Sequence, residues 1–392
     1  MKPHRNYDHL LFKKHWEISQ IGYVRIGQCV SLLKAISKTP ILPDFYKNLK
    51  GVALIKGAQS TTAIEGNTLS DEDIIKLQKG NKLPKSMEYQ GTEVTNILEA
   101  FNTIFQETAV EKKEQLITPD LLLRFHQMIG KNLGDNFQAI PGKFRTHDVI
   151  VGTYKCPDYR DVELLINKYC DFLKDTFKYE QGKQEFSDVF IQAIVAHVYL
   201  EWIHPFGDGN GRLGRLLEFY ILSRGGYADI TLHILSNHYN STRTQYYREL
   251  EKASQTKDLS SFIEYALLGF RDGLQQTLEK IQESQVQITW QKYVYDKFDS
   301  VDIGQREVFK RKRRFALELP LGVKFSIDDV VNLKIELAQI YSNISEKTLE
   351  RDLKELVELN ILKKDENNMY CANLFDIKIM QAKHKGFLED IL

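Results

Sequence analysis

Apolar residues recur at helical rather than strand spacing over most of this chain. Val189, Phe190, Ala193, Ile194, Ala196, Val198 and Leu200 follow one another almost without a polar face, with Ser187 as the expected N-cap. A helix apolar nearly all round belongs in the middle of a bundle. Pro205 and the glycines after it end that helix. Leu213, Leu216, Leu217, Tyr220 and Ile221 then fall at i, i+3, i+4, i+7 and i+8, so a second helix starts near Asn210. Further upstream, Leu54, Ile55, Ala58, Thr61, Thr62 and Glu65 share a helical face that Gly66-Asn67 should stop. Ser70 with Asp73 reads as a capping box before Ile74, Ile75 and Leu77, and Thr118-Pro119 opens a helix through Leu121–Met128. Leu259–Ile281 forms one more amphipathic helix. The middle of the chain holds one convincing hairpin, and the expected class is mainly α.

The last hundred residues have a different rhythm. Ser326 with Asp329 predicts one short helix, and Ser345 opens another with Leu349, Leu353, Leu356 and Val357 on one face. Ile361–Lys364, Asn367-Asn368 and Met369–Cys371 read as two strands around a turn, so this region is similar to a small winged helix-turn-helix domain. Thr348, Arg351 and Lys354 would face outward, and Lys310–Arg314 is a basic run able to meet phosphates. Glu346, Glu350, Asp352, Glu355 and Glu358 on the same helix would repel a DNA backbone, which favours protein interaction or dimerisation over DNA.

Composition changes this picture little. The 392 residues carry 53 basic and 53 acidic side chains, so no global charge recruits nucleic acid or membrane. Cys29, Cys156, Cys170 and Cys371 are widely spaced with no CxxC pair, which points to a reduced, cytoplasmic setting. The start, Met1-Lys2-Pro3-His4-Arg5, has no apolar signal-like run. The stretch 189–203 carries Gln192, His197 and Glu201, too short and polar to predict a membrane span.

The chemistry concentrates in twelve residues, His204–Arg215. Gly207, Gly209, Asn210 and Gly211 lie at a helix N-terminus, where unpaired N–H groups and the dipole bind anions and glycines permit close backbone approach. His204, where the first helix stops, can take a proton from a hydroxyl. Asp208 can hold Mg²⁺ beside phosphate oxygens, and Arg212 and Arg215 can fork onto outer phosphates. Together these groups can hold a polyphosphate and move part of it.

The run matches His-x-Phe-x-(Asp/Glu)-Gly-Asn-Gly-Arg-x-x-Arg and strongly resembles Fic-domain proteins, mostly protein adenylyltransferases. The resemblance covers roughly residues 20–290. It implies a Fic-type helical bundle with a β-hairpin flap at Pro141–Arg145 and Asp148–Gly152, ending at Cys156-Pro157. Val149, Ile150 and Val151 would dock the target peptide, and Tyr246 and Tyr247 would line the adenine side. Ser254 stands seven residues after Tyr247, where the family often has Asn. The expected regions are 1–110, a helical stretch with an inhibitory motif; 111–290, the catalytic core; and 291–392, the winged-helix-like domain.

That motif is Thr61-Thr62-Ala63-Ile64-Glu65-Gly66-Asn67, which fits the family's inhibitory pattern (Ser/Thr)-x-x-x-Glu-(Gly/Asn). Glu65 is expected in the last turn of its helix, where the dipole disfavours negative charge by about 0.3–1 kcal/mol. By resemblance its counter-ion is Arg215, and the pair would obstruct the outer phosphate of ATP. The resemblance therefore implies a self-inhibited, Mg²⁺-dependent transferase that moves AMP from ATP to a protein Ser, Thr or Tyr hydroxyl. Transfer of another nucleotide, removal of AMP at the same site, and an ATP-sensing DNA-binding regulator remain open. So does a homodimer.

Overall fold

The computed structural model describes residues 3–113, 116–180, 182–227, 229–300 and 306–374. Contacts divide the chain into two compact units, Met1–Glu279 and Lys280–Leu392. In the first unit, α1 (Gln20–Lys38), α2 (Pro43–Ala63), α3 (Asp71–Gln78), α4 (Glu88–Phe105) and α5 (Pro119–Gly130) precede a two-stranded hairpin. Its strands are β1 (Ile150–Val151) and β2 (Tyr154–Lys155). After them come α6 (Val162–Phe177), α7 (Phe186–Ile203), α8 (Asn210–Arg224), α9 (Ile234–Ser241) and α10 (Arg243–Thr256). Finally α11 (Ser260–Asp299) runs on into the second unit.

The chain is mainly helical, as its periodicity requires. Helix α7 forms the axis of the first unit: Val189, Phe190, Ala193, Ile194, Ala196, Val198 and Leu200 are all buried. At about 1.5–3 kcal/mol for each large apolar side chain, this one helix supplies much of the driving force. It begins one residue ahead of Ser187, with Glu185 at the cap and no side-chain cap bond, so Ser187 is not the N-cap. Its 18 residues are long and apolar enough to cross a membrane by composition, contrary to the expectation that the run is too short. Within the fold, 83% of that stretch is already covered by protein. The Ser70–Asp73 capping box and the Thr118 cap form as expected.

Two boundaries move. The helix expected over Leu259–Ile281 continues to Asp299, because no Gly or Pro lies between Ile281 and Asp299 and Trp290, Val294 and Phe298 extend its buried stripe. A division at residue 290 therefore falls within this helix. In the second unit, Ser326 caps no helix: the Asp329 carboxylate accepts from its N–H and hydroxyl to close a turn, and the helix begins only at Val330.

The second unit holds α12 (Arg306–Glu318), α13 (Val330–Leu333), α14 (Ile335–Tyr341), α15 (Glu346–Glu358) and a hairpin of β3 (Leu362–Lys364) with β4 (Tyr370–Ala372). Phe325 bridges to Tyr370 beside it. Leu349, Leu353 and Leu356 of α15 are buried. Arg311 forks onto Asp352 at 2.8 and 3.0 Å, and Lys312 pairs with Glu355. Part of the basic run is thus spent within the unit.

Candidate active site

The site begins where α7 stops. His204 takes a left-handed backbone (φ 48°, ψ 62°) while its N–H still reaches the Leu200 carbonyl at 2.8 Å. Pro205 keeps His204 out of the right-handed α region, since the residue before a proline is driven from it. A non-glycine residue in the left-handed region costs roughly 1–2 kcal/mol and persists only where its surroundings over-determine it. Here Arg145 does so. Its N–H meets Pro205 O at 3.0 Å, and its side chain donates to the carbonyls of His204 (2.8 Å), His147 and Pro157.

The loop after His204 is closed by its own side chains. Asn210 accepts from Phe206 N at 3.0 Å and donates to Phe206 O at 2.9 Å. Buried His126 accepts from Gly142 N–H at 3.0 Å, which leaves its other nitrogen to donate to Asp208 O at 2.9 Å. Gly209 turns the chain into α8 with φ 81°, a conformation that disfavours any side chain. Asn210 was expected at a phosphate. The oxygen and one N–H of its amide are used within the loop, while the residue still lines the cavity that opens over it.

One cavity of about 550 Å³ opens over this loop. It is lined by Glu65, Val151, His204, Gly207, Asp208, Gly209, Asn210, Gly211, Arg215, Tyr246 and Tyr247, which the sequence singled out, together with Ser254. Thr61, Val149, Ile150 and Arg212 lie outside its lining. Arg212 departs most from expectation. It is 3% exposed and paired with Glu93 and with Asp208 (2.7 Å), and does not reach into the cavity. Val149 is outside β1, although its carbonyl still accepts from Cys156 N–H. The hairpin itself is confined to Ile150–Lys155, because Arg145 pins the preceding stretch as a turn.

Glu65 reaches the cavity from α2. That helix ends at Ala63, so Glu65 stands two residues past it rather than in its last turn. The Thr62 carbonyl accepts from the N–H groups of Glu65 and Asn67 and turns the chain there. The Glu65 carboxylate meets Arg215 Nη2 at 2.6 Å, and the same nitrogen donates to Thr61 O at 2.9 Å. Thr61 thus acts through its main chain; its hydroxyl is buried with no partner among the described residues. Tyr247 donates to Ile64 O at 3.3 Å, so the cavity's aromatic wall also grips the turn.

The carboxylate occupies a specific space. A Cβ on Gly211 would lie 2.1 Å from Glu65 Oε1 and 3.1 Å from Arg215 Nη1, so only glycine admits this arrangement. Burial alone would raise the Glu65 pKa; the charge and hydrogen bond of Arg215 outweigh it and hold the group below the usual carboxylate range.

Around His204 the electrostatics favour a neutral base. Burial pushes the imidazole down to about 4. Nδ1 faces Glu201 O at 3.3 Å and Glu201 Oε2 at 3.9 Å, which assigns the proton to Nδ1 and leaves Nε2 as the acceptor. Sequence reading did not mark Glu201, whose carboxyl burial pushes up to about 8, although it lies one helical turn before His204. Glu93 was also missed, and nothing in the sequence links it to Arg212, 119 residues away. Tyr246 is buried and donates to or accepts from His197 Nε2 at 2.8 Å, while Tyr247 is 45% exposed.

Residues 116–222 match the Fic/DOC family, a span that includes the whole loop. The chain is 31% identical over 208 residues to protein adenylyltransferase fic-1 of Caenorhabditis briggsae, covering 52% of this chain and 37% of that protein. It is 27% identical over 256 residues to protein adenylyltransferase Fic of Aedes aegypti, covering 63% and 46%. The chain thus spans less than half the length of these curated relatives. A Fic family protein from Desulfovibrio desulfuricans shares the fold with a TM-score of 0.55 at 20% identity, over 92% of this chain and 98% of that one.

Proposed function

We propose that this Fic-domain chain is a self-inhibited protein adenylyltransferase that moves AMP from ATP to a hydroxyl side chain of a protein. The observation that carries this reading is the Glu65 carboxylate, seated over Gly211 and on Arg215 inside the cavity that His204 lines. A triphosphate entering the helix N-terminus would need that space and that arginine, so Glu65 and nucleotide phosphate compete.

With Glu65 displaced, the N–H groups at the start of α8 and the Arg215 guanidinium would hold the phosphates. Asp208 suits a Mg²⁺ ion brought in with the nucleotide. It lines the cavity, its Oδ2 accepts from Gln138 N–H at 3.3 Å, and Mg²⁺ takes one or two carboxylates plus phosphate oxygens. Bound there, the ion would supply charge neutralisation on the polyphosphate. His204 Nε2 would accept the proton of the incoming hydroxyl as its oxygen bonds to the α-phosphorus. The bond to the β-bridging oxygen breaks, and pyrophosphate leaves with the electron pair. The negative polyphosphate itself would raise the depressed imidazole pKa and improve the base. Catalysis is then mainly positioning and electrostatics.

The exposed residues Ile150 and Val151 of β1 would pair main chain to main chain with a target segment, which reads sequence weakly. Tyr246, Tyr247 and Ser254 would face the base. We read the winged-helix-like second unit as a protein-interaction module rather than a DNA reader. Asp352 and Glu355 on its α15 already hold Arg311 and Lys312, and a duplex would have to displace them.

Intact-mass measurement tests the proposal. With Mg²⁺ and ATP, Glu65→Gly should gain one adenylyl group, wild type far less, and Glu65→Gly/His204→Ala none. Equal labelling of wild type and Glu65→Gly would remove the inhibition; absence of labelling despite ATP binding would favour a nucleotide sensor.

A further inference from the structure

Arg212 is among the most firmly held side chains in the site. Its Nη1 pairs with Glu93 of α4, its Nη2 meets Asp208 Oδ1 at 2.7 Å, and its guanidinium lies over the Phe137 ring at 5.3 Å. Glu93 is itself buried, and its second oxygen accepts from Asn67 Nδ2 at 3.0 Å. Asn67 is fixed in turn: its Nδ2 also reaches Gln90 O, and its Oδ1 accepts from Leu69 N–H. A continuous polar line therefore runs from the turn that carries Glu65, through Asn67, Glu93 and Arg212, to Asp208.

We propose that Glu93 is a positioning residue for the phosphate loop. It seats Arg212 so that Arg212 aims the Asp208 carboxylate at the metal of a bound nucleotide. Through Asn67 it ties that aim to the inhibitory turn. The main chain of Asp208 is fixed by His126, but its side chain can still rotate; the Gly209 N–H at 2.5 Å, the Gln138 N–H at 3.3 Å and Arg212 select one rotamer, and Arg212 is the charged partner among them. Glu93 holds the other end of the guanidinium and so fixes where Arg212 meets Asp208. The competing view treats Glu93–Arg212 as an ordinary interior ion pair that merely steadies α4 against α8. The two differ in what is lost when the pair is broken: metal binding in the first, general folding in the second.

This inference rests on the adenylyltransferase reading, and its test separates the two. In full-length Glu65→Gly protein, Mn²⁺ binding in the presence of ATP is followed by the electron paramagnetic resonance of free Mn²⁺. ATP binding in EDTA is followed by calorimetry. Glu93→Gln in that background should weaken Mn²⁺ at least tenfold while metal-free ATP affinity stays within twofold. Unchanged Mn²⁺ affinity, or equal weakening of ATP with and without metal, overturns the proposal. Failure of the Glu65→Gly parent to bind Mn²⁺ with ATP would instead sink the underlying function. Should Glu93→Gln not fold, as judged by its melting curve, Asn67→Ala removes only the supporting amide. It should shift Mn²⁺ affinity about threefold in the same direction, and no shift overturns the proposal.

Discussion

Two arginine–carboxylate pairs, one in each unit, are built in opposite senses. In the first unit Arg215 is 1% exposed while its partner Glu65 is 34% exposed and borders a cavity. In the second, Asp352 is fully buried, Tyr341 donates to it at 3.0 Å, and Arg311 is the partner that solvent reaches. Removing the reachable member therefore strands a different charge. Without Glu65, a buried cation faces an open cavity and calls for an anion, which a polyphosphate supplies. Without Arg311, a buried anion faces packed side chains and nothing can replace the partner. On the proposed function, the same pairing chemistry makes a latch in one place and a rivet in the other.

The largest expected effect tests whether the first site is catalytic at all. In the Glu65→Gly background, His204→Ala should reduce adenylyl transfer by roughly 10²–10⁴-fold, the range of a general base. Rates from time-resolved intact mass would decide it, and a loss below tenfold would make His204 a bystander.

Arg311→Met should destabilise the second unit by about 3–5 kcal/mol, because it strands the buried Asp352 carboxylate. Thermal melting would show this, and ATP should not recover it. Glu65→Gly should cost less, since Glu65 is partly solvated, and saturating ATP should restore stability, by about 2.7 kcal/mol at a hundredfold excess over Kd. If ATP protects neither variant, or both, the latch-and-rivet distinction is wrong.

Acid should also separate the units. Burial pushes His9, His126 and His204 down to about 4 and His197 to about 3, so these rings are neutral in the fold. Their folded values lie below the ordinary one near 6.5. The unfolded chain therefore takes up protons first as pH falls, and stability is lost between about 6.5 and 4. Among the described residues the second unit has no histidine. Calorimetry from pH 7 to pH 4.5 should lower the first unit's transition more than the second's. The smallest effect is at Lys312→Ala, where a surface-type pair is worth about 0.2–1 kcal/mol.

Much of the site was legible because its residues are close in sequence. Helix, proline break and glycine turn follow from local rules, so His204, Asp208 and the start of α8 were readable. The Glu65–Arg215 pair was implied only through resemblance, since no spacing connects positions 150 apart. Arg212 shows what a residue type in a motif leaves open. A guanidinium near a phosphate loop suits an anion, but a buried carboxylate from another helix had already taken it. Asn210 likewise spends part of its amide on closing the loop.

Local chemistry alone required the helices, the break at Pro205 and the donor-rich turn, since each depends on neighbours within a few residues. Which charges meet was decided by packing. Glu65, Glu93 and Glu201 acquire their meaning only when α2, α4 and α7 are brought against one loop. There burial makes each unpaired charge costly enough to choose a partner.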